Sequence, residues 1–336
     1  MSTPVSEAPA ASGRESREGN DWLKIAGIVL LLPCVIALML FAFLAPNFAS
    51  GPHELPVAIS APDPVVTQLS DATNAANPDA FSFDPVGSDD EVRGAVEKRD
   101  AIGGLTMDPA TGTATIYTAA GNGAPYPAVM QQLAGGMQAQ GLNVQMVEVA
   151  PYSQDDPQGS GLNALGLPLA FGGMISAALM TTLFKGKPWH KLVGALGIAA
   201  LGGLVVAAIL HHGYGVLTGD FWLEALALAC GIAATSLVVT GLGSLLGMAG
   251  VGLGAVLTIF ISNPLSGLAT GWWWLPQPWG MIGQYMPIGA AGYLLRSISY
   301  FDNHHGGHSW TVLGVWMLVG ALLIAVGGVR NRRAAA

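Results

Sequence analysis

Apolar runs alternate with polar stretches along this chain, and six of the runs are long enough to predict membrane spans. The hydrocarbon core of a bilayer is about 30 Å thick, so a helix needs roughly 20 apolar residues to cross it. The first run follows Trp22 and Lys24, and the other five come after residue 161. The predicted spans cover residues 25–44, 162–184, 192–210, 221–241, 245–261 and 310–328.

The first apolar run has two possible interpretations, an uncleaved anchor or a cleaved signal peptide. The run is longer than the roughly 7–15 apolar residues of a signal peptide, and the sequence from Asn47 to Ser50 is a poor cleavage site. These features favour the anchor. The preceding residues lack any hydrophobic period, which predicts a disordered tail.

Between residues 51 and 161 the pattern changes to short alternating segments separated by turns. Strands are predicted at 55–60, 81–83, 101–107, 113–119 and 142–149, and helices at 64–72, 88–98 and 127–140. Ser88 and Glu91 have the spacing of a capping box, which marks the start of the second helix. Alternating strands and helices predict a small α/β domain with a mixed sheet.

The segment from residue 263 to 301 is apolar but broken. Pro264, Pro276, Pro278 and Pro287 exclude a single straight helix across the bilayer. Three consecutive tryptophans, at 272–274, are typical of the headgroup boundary. We therefore expect two or three short segments folded back into the outer leaflet, as a cap beside the spans.

These patterns together predict an α-helical polytopic membrane protein. It has six transmembrane helices, a broken helical outer cap and an inserted extracytoplasmic α/β domain. The predicted order is a disordered cytoplasmic tail (1–21), the first span (22–46), the α/β domain (47–161), spans two to five (162–262), the re-entrant cap and loop (263–308), the sixth span (309–329) and a cytoplasmic tail (330–336).

Composition and charge agree with this organisation and orient it. Hydrophobic residues make up 51% of the chain and charged residues only 10%, far below the roughly one quarter of a soluble protein. The connection 184–191 carries three lysines and the C-terminal tail three arginines, whereas acidic residues crowd between 54 and 156. The positive-inside rule then predicts a protein of the inner (plasma) membrane, with both termini in the cytoplasm and the acidic domain outside. An acidic domain also argues against binding to nucleic acid.

Glu224 is the candidate intramembrane carboxylate, and it follows Asp220 by about one helical turn. Carboxylates inside membranes are costly and often functional, which allows a proton or cation site. The alternative is a cap at the outer interface, with Asp220 at a helix N-terminus where negative charge is favoured. The shallow position of Glu224 favours this alternative.

The polar loop after residue 301 contains several possible metal ligands. Its histidines follow Asp302, and carboxylate and imidazole groups suit zinc or copper. The glycines in the loop and the absence of a spaced ligand pair favour a flexible outer loop instead. We therefore predict no metal site and no cofactor. The histidines of the loop are His304, His305 and His308.

The broken segment supplies most of the candidate site residues. Its tryptophans could stack on a ligand or, more simply, anchor the cap at the interface. Arg296 needs a partner or an interfacial position in such apolar surroundings. The candidate cap and substrate-path residues are Asn263, Pro264, Trp272, Trp273, Trp274, Trp279 and Arg296.

Glycines recur at small-residue spacing between residues 241 and 254. Such spacing is typical of close helix contacts in membranes, within one subunit or between two. A dimer formed through the fifth predicted span, with Gly250 and Gly254 in the contact, is one hypothesis that follows.

The broken segment also resembles a known family. The sequence Asn263-Pro264-Leu265-Ser266-Gly267, then Met286-Pro287-Ile288-Gly289-Ala290, then Leu295-Arg296-Ser297 with Tyr300-Phe301, is similar to the C-terminal part of actinobacterial integral membrane proteins related to the ABC-2-type permeases, including the YhgE/Pip branch. The resemblance implies six spans per subunit, a homodimer or a complex with another membrane protein, and a role in export. The chain has no Gly-x-x-x-x-Gly-Lys-Ser/Thr loop, so an ATP-driven pump would need a separate ATPase subunit.

Two functional hypotheses follow. The first is export or translocation of a lipid-like or amphipathic cell-envelope molecule, because a small hydrophilic solute would need polar lining along the spans. The second is a non-transporting accessory or scaffold subunit, whose outer domain binds a larger envelope transporter. An enzyme is not expected, because no nucleophile elbow and no metalloprotease motif occurs in the sequence.

Overall fold

The computed structural model of the chain describes residues 12–108, 111–185 and 187–335. Contacts divide the chain into two units, Met1–Ala45 and Pro46–Ala336. Helix α1, Ser12–Ala49, accounts for the described part of the first unit, and none of the residues in its most apolar 18-residue stretch is buried. An apolar surface of this length is what a lipid-facing helix presents. Residues 12–21 of the predicted disordered tail are helical, and residues 1–11 lie outside the described residues.

The second unit begins with an α/β domain whose sheet has five strands in the order β2-β1-β3-β4-β5. Strands β3 and β4 form an antiparallel hairpin, and the other neighbours are parallel, so the sheet is mixed as the sequence predicts. The elements are β1 (Leu55–Ser60), α2 (Asp63–Ala76), β2 (Phe81–Pro85), α3 (Asp89–Glu97), β3 (Gly103–Asp108), β4 (Thr113–Thr118), a 3-10 turn (Ala120–Asn122), α4 (Pro125–Ala139) and β5 (Asn143–Glu148).

Local sequence signals explain where helix α3 begins. The Ser88 side chain accepts a hydrogen bond of 3.3 Å from the Glu91 amide, as a capping residue does. The Glu91 carboxylate in turn accepts a hydrogen bond of 2.8 Å from the amide of Gly87, one residue before the cap. The predicted pair therefore satisfies one orphan donor of this helix end, the Glu91 amide, and the amide of Gly87 just before the cap.

The remaining elements of the second unit are helical. They are α5 (Ser160–Asn163), α6 (Gly166–Leu183), α7 (Pro188–Ala208) with a π-helical end (Ile209–Gly213), α8 (Phe221–Leu246), α9 (Met248–Ala255) with a π-helical end (Val256–Ser262), a 3-10 turn (Trp272–Trp274), α10 (Trp279–Gln284), α11 (Pro287–Tyr300) and α12 (Gly306–Ala335). Five helices in the described residues are long and apolar enough to cross a membrane, at Asp21–Ala49, Ser160–Leu183, Pro188–Gly213, Phe221–Leu246 and Gly306–Asn331. The protein is therefore mostly helical and compatible with a membrane-embedded state.

The predicted span at 245–261 differs from the structure. Helix α8 continues to Leu246, and the chain then turns at Gly247, whose φ of 64° is unfavourable for other residues. The helix that follows, Met248–Ser262, is shorter than a typical span. Gly250 packs on the carbonyl of Leu242, and Gly254 packs on Val239. These two glycines thus contact α8 of the same chain.

Helix α8 lies at the centre of the helical part and packs against α6, α7, α11 and α12. Small residues allow its neighbours to come close to its backbone. A Cβ atom at Gly320 of α12 would lie 2.5 Å from the backbone carbon of Leu237, and Gly203 of α7 packs on the backbone of Ala229. In the absence of a hydrophobic driving force between helices in lipid, this close packing holds the bundle together.

We expect Gly320→Leu to lower the free energy of unfolding by about 1–3 kcal/mol, because the α8 backbone cannot yield to the added side chain. Gly314 on the same helix is the matched control, since no atom lies within 4 Å of the position a Cβ would take there. Thermal unfolding of both variants in the same detergent measures the difference. Equal melting temperatures for the Gly314→Leu and Gly320→Leu proteins would contradict the close contact.

Candidate functional site

Helix α11 is the element around which the candidate site is built. Pro287 starts the helix, and twelve of its fourteen residues are buried. Ile288, Leu295 and Ile298 belong to the same apolar core as residues of α8. The broken segment therefore does not simply rest on the spans, because its longest helix is packed into them. Glycines make the tight path possible, as at Gly283, which lies directly on the carbonyl of Leu265.

Arg296 of α11 is buried, with only 2% of its surface exposed. Its guanidinium donates hydrogen bonds to the carbonyl oxygens of Gly121, at 2.8 Å, and Leu268. Gly121 lies in the 3-10 turn of the α/β domain, and Leu268 lies in the broken segment itself. The partners that the sequence required for this arginine are thus main-chain carbonyls from two parts of the fold.

Arg99 of the α/β domain contacts the same helix. It is 3% exposed, and its Nε donates to the Asn122 side chain at 3.0 Å. Its Nη1 donates to the Tyr293 carbonyl at 3.1 Å and to the Ser297 hydroxyl at 2.6 Å. The guanidinium carbon also lies 3.8 Å from the centre of the Tyr293 ring, a cation–π contact.

Neither buried arginine is close enough to a carboxylate to form an ion pair among the described residues. Burial, together with the nearby charge of Arg296, lowers the pKa of Arg99 to about 10. The group therefore stays cationic at neutral pH. A buried cation of this kind is tolerated only where several oxygen atoms accept hydrogen bonds from it. The side chains of Arg99 and Arg296 therefore hold these oxygen atoms in place.

Glu224 of α8 is fully buried and accepts three hydrogen bonds. One carboxylate oxygen accepts from the Gly219 amide at 2.8 Å and from the Ser299 hydroxyl at 2.7 Å, and the other lies 2.7 Å from Nδ1 of His211. Asp220 has a different role, because its side chain caps α8 by accepting from the Leu223 amide at 2.9 Å. Of the two acidic residues, only Asp220 behaves as a simple helix cap.

Helix α11 thus contacts the α/β domain, the broken segment and α8. Besides Arg296, it provides Ser297 to the α/β domain and Ser299 to α8. The Tyr300 hydroxyl donates to the Val216 carbonyl at 3.0 Å, and Thr218 donates to the Ser299 carbonyl at 2.8 Å. Any displacement of the α/β domain against the long helices must either break these bonds or move α11. We call this set of contacts the α11 junction.

The tryptophans that the sequence singled out divide into different environments. Trp273 and Trp274 pack against the core of the α/β domain, and the Trp274 carbonyl accepts a hydrogen bond of 3.1 Å from the Gly51 amide. Trp272 stacks on Trp273, with ring centres 4.8 Å apart, whereas Trp279 is exposed. Part of the tryptophan run therefore joins the segment to the domain, and the predicted anchoring at a headgroup boundary remains a prediction.

Two further candidates lie near the start of the broken segment. The Asn263 side chain packs over Gly166, at the beginning of α6, and Pro264 follows directly in a turn. Neither residue touches the α11 junction through a hydrogen bond of its side chain in the described structure. The two residues directly follow the short helix Met248–Ser262, which therefore ends beside the start of α6.

The histidine loop is tied to the α/β domain by one contact. Nε2 of His305 lies 2.9 Å from the Asp100 carboxylate, and three loop residues, Asp302, Asn303 and His305, have positive φ. Within the described ranges, no three His, Cys, Asp or Glu side chains come close enough together to hold a metal ion. The loop lies beside a cavity of about 200 Å³ that Trp272, His305 and His308 help to line.

Sequence reasoning missed two residues at the α11 junction and the histidine that contacts Glu224. Arg99, Asn122 and His211 were not selected, since each acts through a partner distant in the chain. Arg99 bonds to residues 194 and 198 positions away. The signal that could have marked Arg99 is its isolation as one of few basic residues in an acidic domain.

Comparison of the chain with known protein families, with curated proteins and with solved structures finds no match. The resemblance noted above remains an expectation.

We expect Arg99→Met to destabilise the protein by about 2–4 kcal/mol, because Asn122, Ser297 and the Tyr293 carbonyl each lose a charged donor in a buried place. Hydrogen exchange of residues 287–301 should accelerate more than exchange in α8. Arg93→Met is the control, since Arg93 pairs with Glu97 on the domain surface. Unchanged exchange in α11 of the Arg99 variant would show that the junction does not depend on this side chain.

Proposed function

We propose that this protein is a permease-like membrane protein that exports or translocates a lipid-like or amphipathic molecule of the cell envelope. The observation that carries the proposal is the position of charge in the candidate spans. Every charged residue in them lies within four residues of a span's end: Asp21, Lys24, Lys191, Glu224 and Arg330. The central part of each span is therefore uncharged, which suits an apolar cargo better than a hydrophilic solute.

The two ends of the helical part differ in charge, which supports one orientation. At the basic end, Lys191 donates to the Ser244 hydroxyl at 2.9 Å, and Asn331 donates to the Ser244 carbonyl at 3.3 Å. The connection with Lys185 and Lys187 lies at this end. The acidic α/β domain joins the opposite end through α11. In our proposal the basic end and both termini face the cytoplasm, and the domain is extracytoplasmic, in the plasma membrane.

The short helix Met248–Ser262 supports a sixth crossing in this proposal. It leaves α8 at Gly247, near the basic end, and it finishes where Asn263 packs over Gly166, at the other end of α6. Its 15 residues span about 22 Å at about 1.5 Å per residue, less than the bilayer core. The residues of the broken segment that follow would complete the crossing inside the protein, where irregular backbone is tolerated.

An energy source must come from outside the chain if transport is driven by ATP, since no phosphate-binding loop is present in the sequence. In our proposal a separate ATPase subunit contacts the basic connection 184–191. The functional unit would be a homodimer, or a complex with another membrane protein.

The second candidate function is a non-transporting accessory subunit whose outer domain binds a larger envelope transporter. The α11 junction favours this candidate, because its buried hydrogen bonds hold the domain firmly on the helices, as a scaffold requires. The two functions differ in whether the loss of the protein changes the location of an envelope molecule.

We expect a cysteine at position 90 to react with a membrane-impermeant maleimide in intact cells, because Asp90 is exposed on the α/β domain. The background should carry Cys34→Ala and Cys230→Ala. Lys185→Cys is the matched variant, and it should react only after the cells are opened. Labelling of position 185 and not of position 90 in intact cells would reverse the proposed orientation.

To test the function, the gene is deleted in the source organism, and the lipids of the inner and outer envelope fractions are compared by mass spectrometry. We expect at least one lipid-like species to accumulate in the inner fraction. The wild-type gene and Arg93→Met should restore its location, whereas Arg99→Met should not. An unchanged lipid distribution, combined with stoichiometric co-purification with another transporter, would favour the accessory function.

A further inference from the structure

A groove runs between helices α2 and α4 on one face of the α/β domain. It consists of two cavities of about 270 Å³ and about 290 Å³. The two cavities share four lining residues, Leu69, Ala72, Met137 and Gln140, so they are adjoining parts of one groove. None of these residues belongs to the α11 junction.

The chemistry of the groove is apolar and uncharged. Leu69, Leu133 and Met137 form its floor and belong to the buried core of the domain. Every residue lining the two cavities is uncharged at neutral pH. The polar side chains among them, such as Thr73 and Gln132, are neutral. Apolar walls with a few neutral hydrogen-bonding groups select a ligand that is mostly hydrocarbon and has no charge.

The size of the groove restricts the shape of the ligand. Each cavity is at or just below the lower limit of about 300 Å³ for pockets that hold small molecules. The volume of the two cavities is too small to enclose an amphipathic helix, which is about 10–12 Å across with its side chains. A single extended hydrocarbon chain is slender enough to pass from one cavity into the next.

Gly136 keeps part of the groove open. It lies in the interior of α4, where glycine costs up to about 1 kcal/mol relative to alanine. No atom lies within 4 Å of the position its Cβ would take, and the residue lines the cavity of about 270 Å³ together with Val129 and Leu133. Gly135 is equally unobstructed but lines neither cavity. The two neighbours therefore form a natural pair for comparison.

The groove begins next to the broken segment. Pro52 lines it, and the amide of the preceding residue, Gly51, donates to the Trp274 carbonyl. Trp273 and Trp274 pack against the same core as Leu69 and Met137. The groove therefore adjoins the apolar surroundings of the tryptophan run, so a hydrocarbon chain could enter the domain from there.

We propose that this groove binds a neutral lipid with one hydrocarbon chain and an uncharged polar head. The chain lies along Leu69 and Met137, and the head is bound by the neutral side chains near Thr73 and Gln132. This goes beyond the proposed function, because the groove holds such a lipid whether or not the protein moves it.

The test uses the full-length protein in phosphatidylcholine nanodiscs and a monoacylglycerol with a photoactivatable diazirine in its chain. After illumination and digestion, mass spectrometry should find adducts on residues 65–81 and 129–140. Gly136→Leu should reduce this labelling by about tenfold, because its side chain fills the space that the hydrocarbon occupies. Gly135→Leu adds the same side chain to the same helix and should leave the labelling unchanged.

A second variant tests the uncharged character of the head. Gln140 lines both cavities and is exposed, so Gln140→Lys should fold normally and should shift labelling from the monoacylglycerol towards a fatty acid with the same diazirine. Equal labelling of the wild type by the fatty acid would overturn the uncharged head. Equal effects of the two glycine variants, or adducts only on the long helices, would overturn the site.

The outcome is separable from that of the export experiment. Intact labelling with no change in envelope lipids on gene deletion would count against export only. If no adducts form in the groove but the lipid distribution still depends on the gene, the result would count against the groove only.

Discussion

The structure of the second unit depends on two guanidinium groups that are buried without carboxylates. A cation removed from water must recover its hydrogen bonds from fixed oxygen atoms. Arg99 belongs to the α/β domain and Arg296 to α11, and both bond to the same 3-10 turn, Ala120–Asn122. The oxygen atoms that the two groups need come from α11, from this turn and from the broken segment.

These hydrogen bonds join the α/β domain to the helices that follow residue 160, all within the second unit. On the same helix, α11, the Ser299 hydroxyl donates to the Glu224 carboxylate of α8. Helix α8 in turn packs against α6, α7, α11 and α12. Polar contacts are concentrated at this end, while close packing around glycines holds the remainder. Buried hydrogen bonds therefore stabilise the bundle at the domain end, and close helix packing stabilises it along its length.

Two surfaces in this architecture are apolar and uncharged. One is the uncharged central part of the candidate spans, and the other is the groove between α2 and α4. Trp273 and Trp274 contact the core of the α/β domain beneath the groove.

The sequence by itself determined the elements whose signals are local: the apolar runs of the long helices, the alternation of the five strands and the Ser88 cap. It also required a partner for Arg296. Only the tertiary structure decided that α8 continues to Leu246 and ends at Gly247, whose φ is 64°, and which atoms surround Arg99, Arg296 and Glu224. The physical reason is separation along the chain: the Arg296 bond to Gly121 joins residues 175 positions apart, and no local period records such a contact.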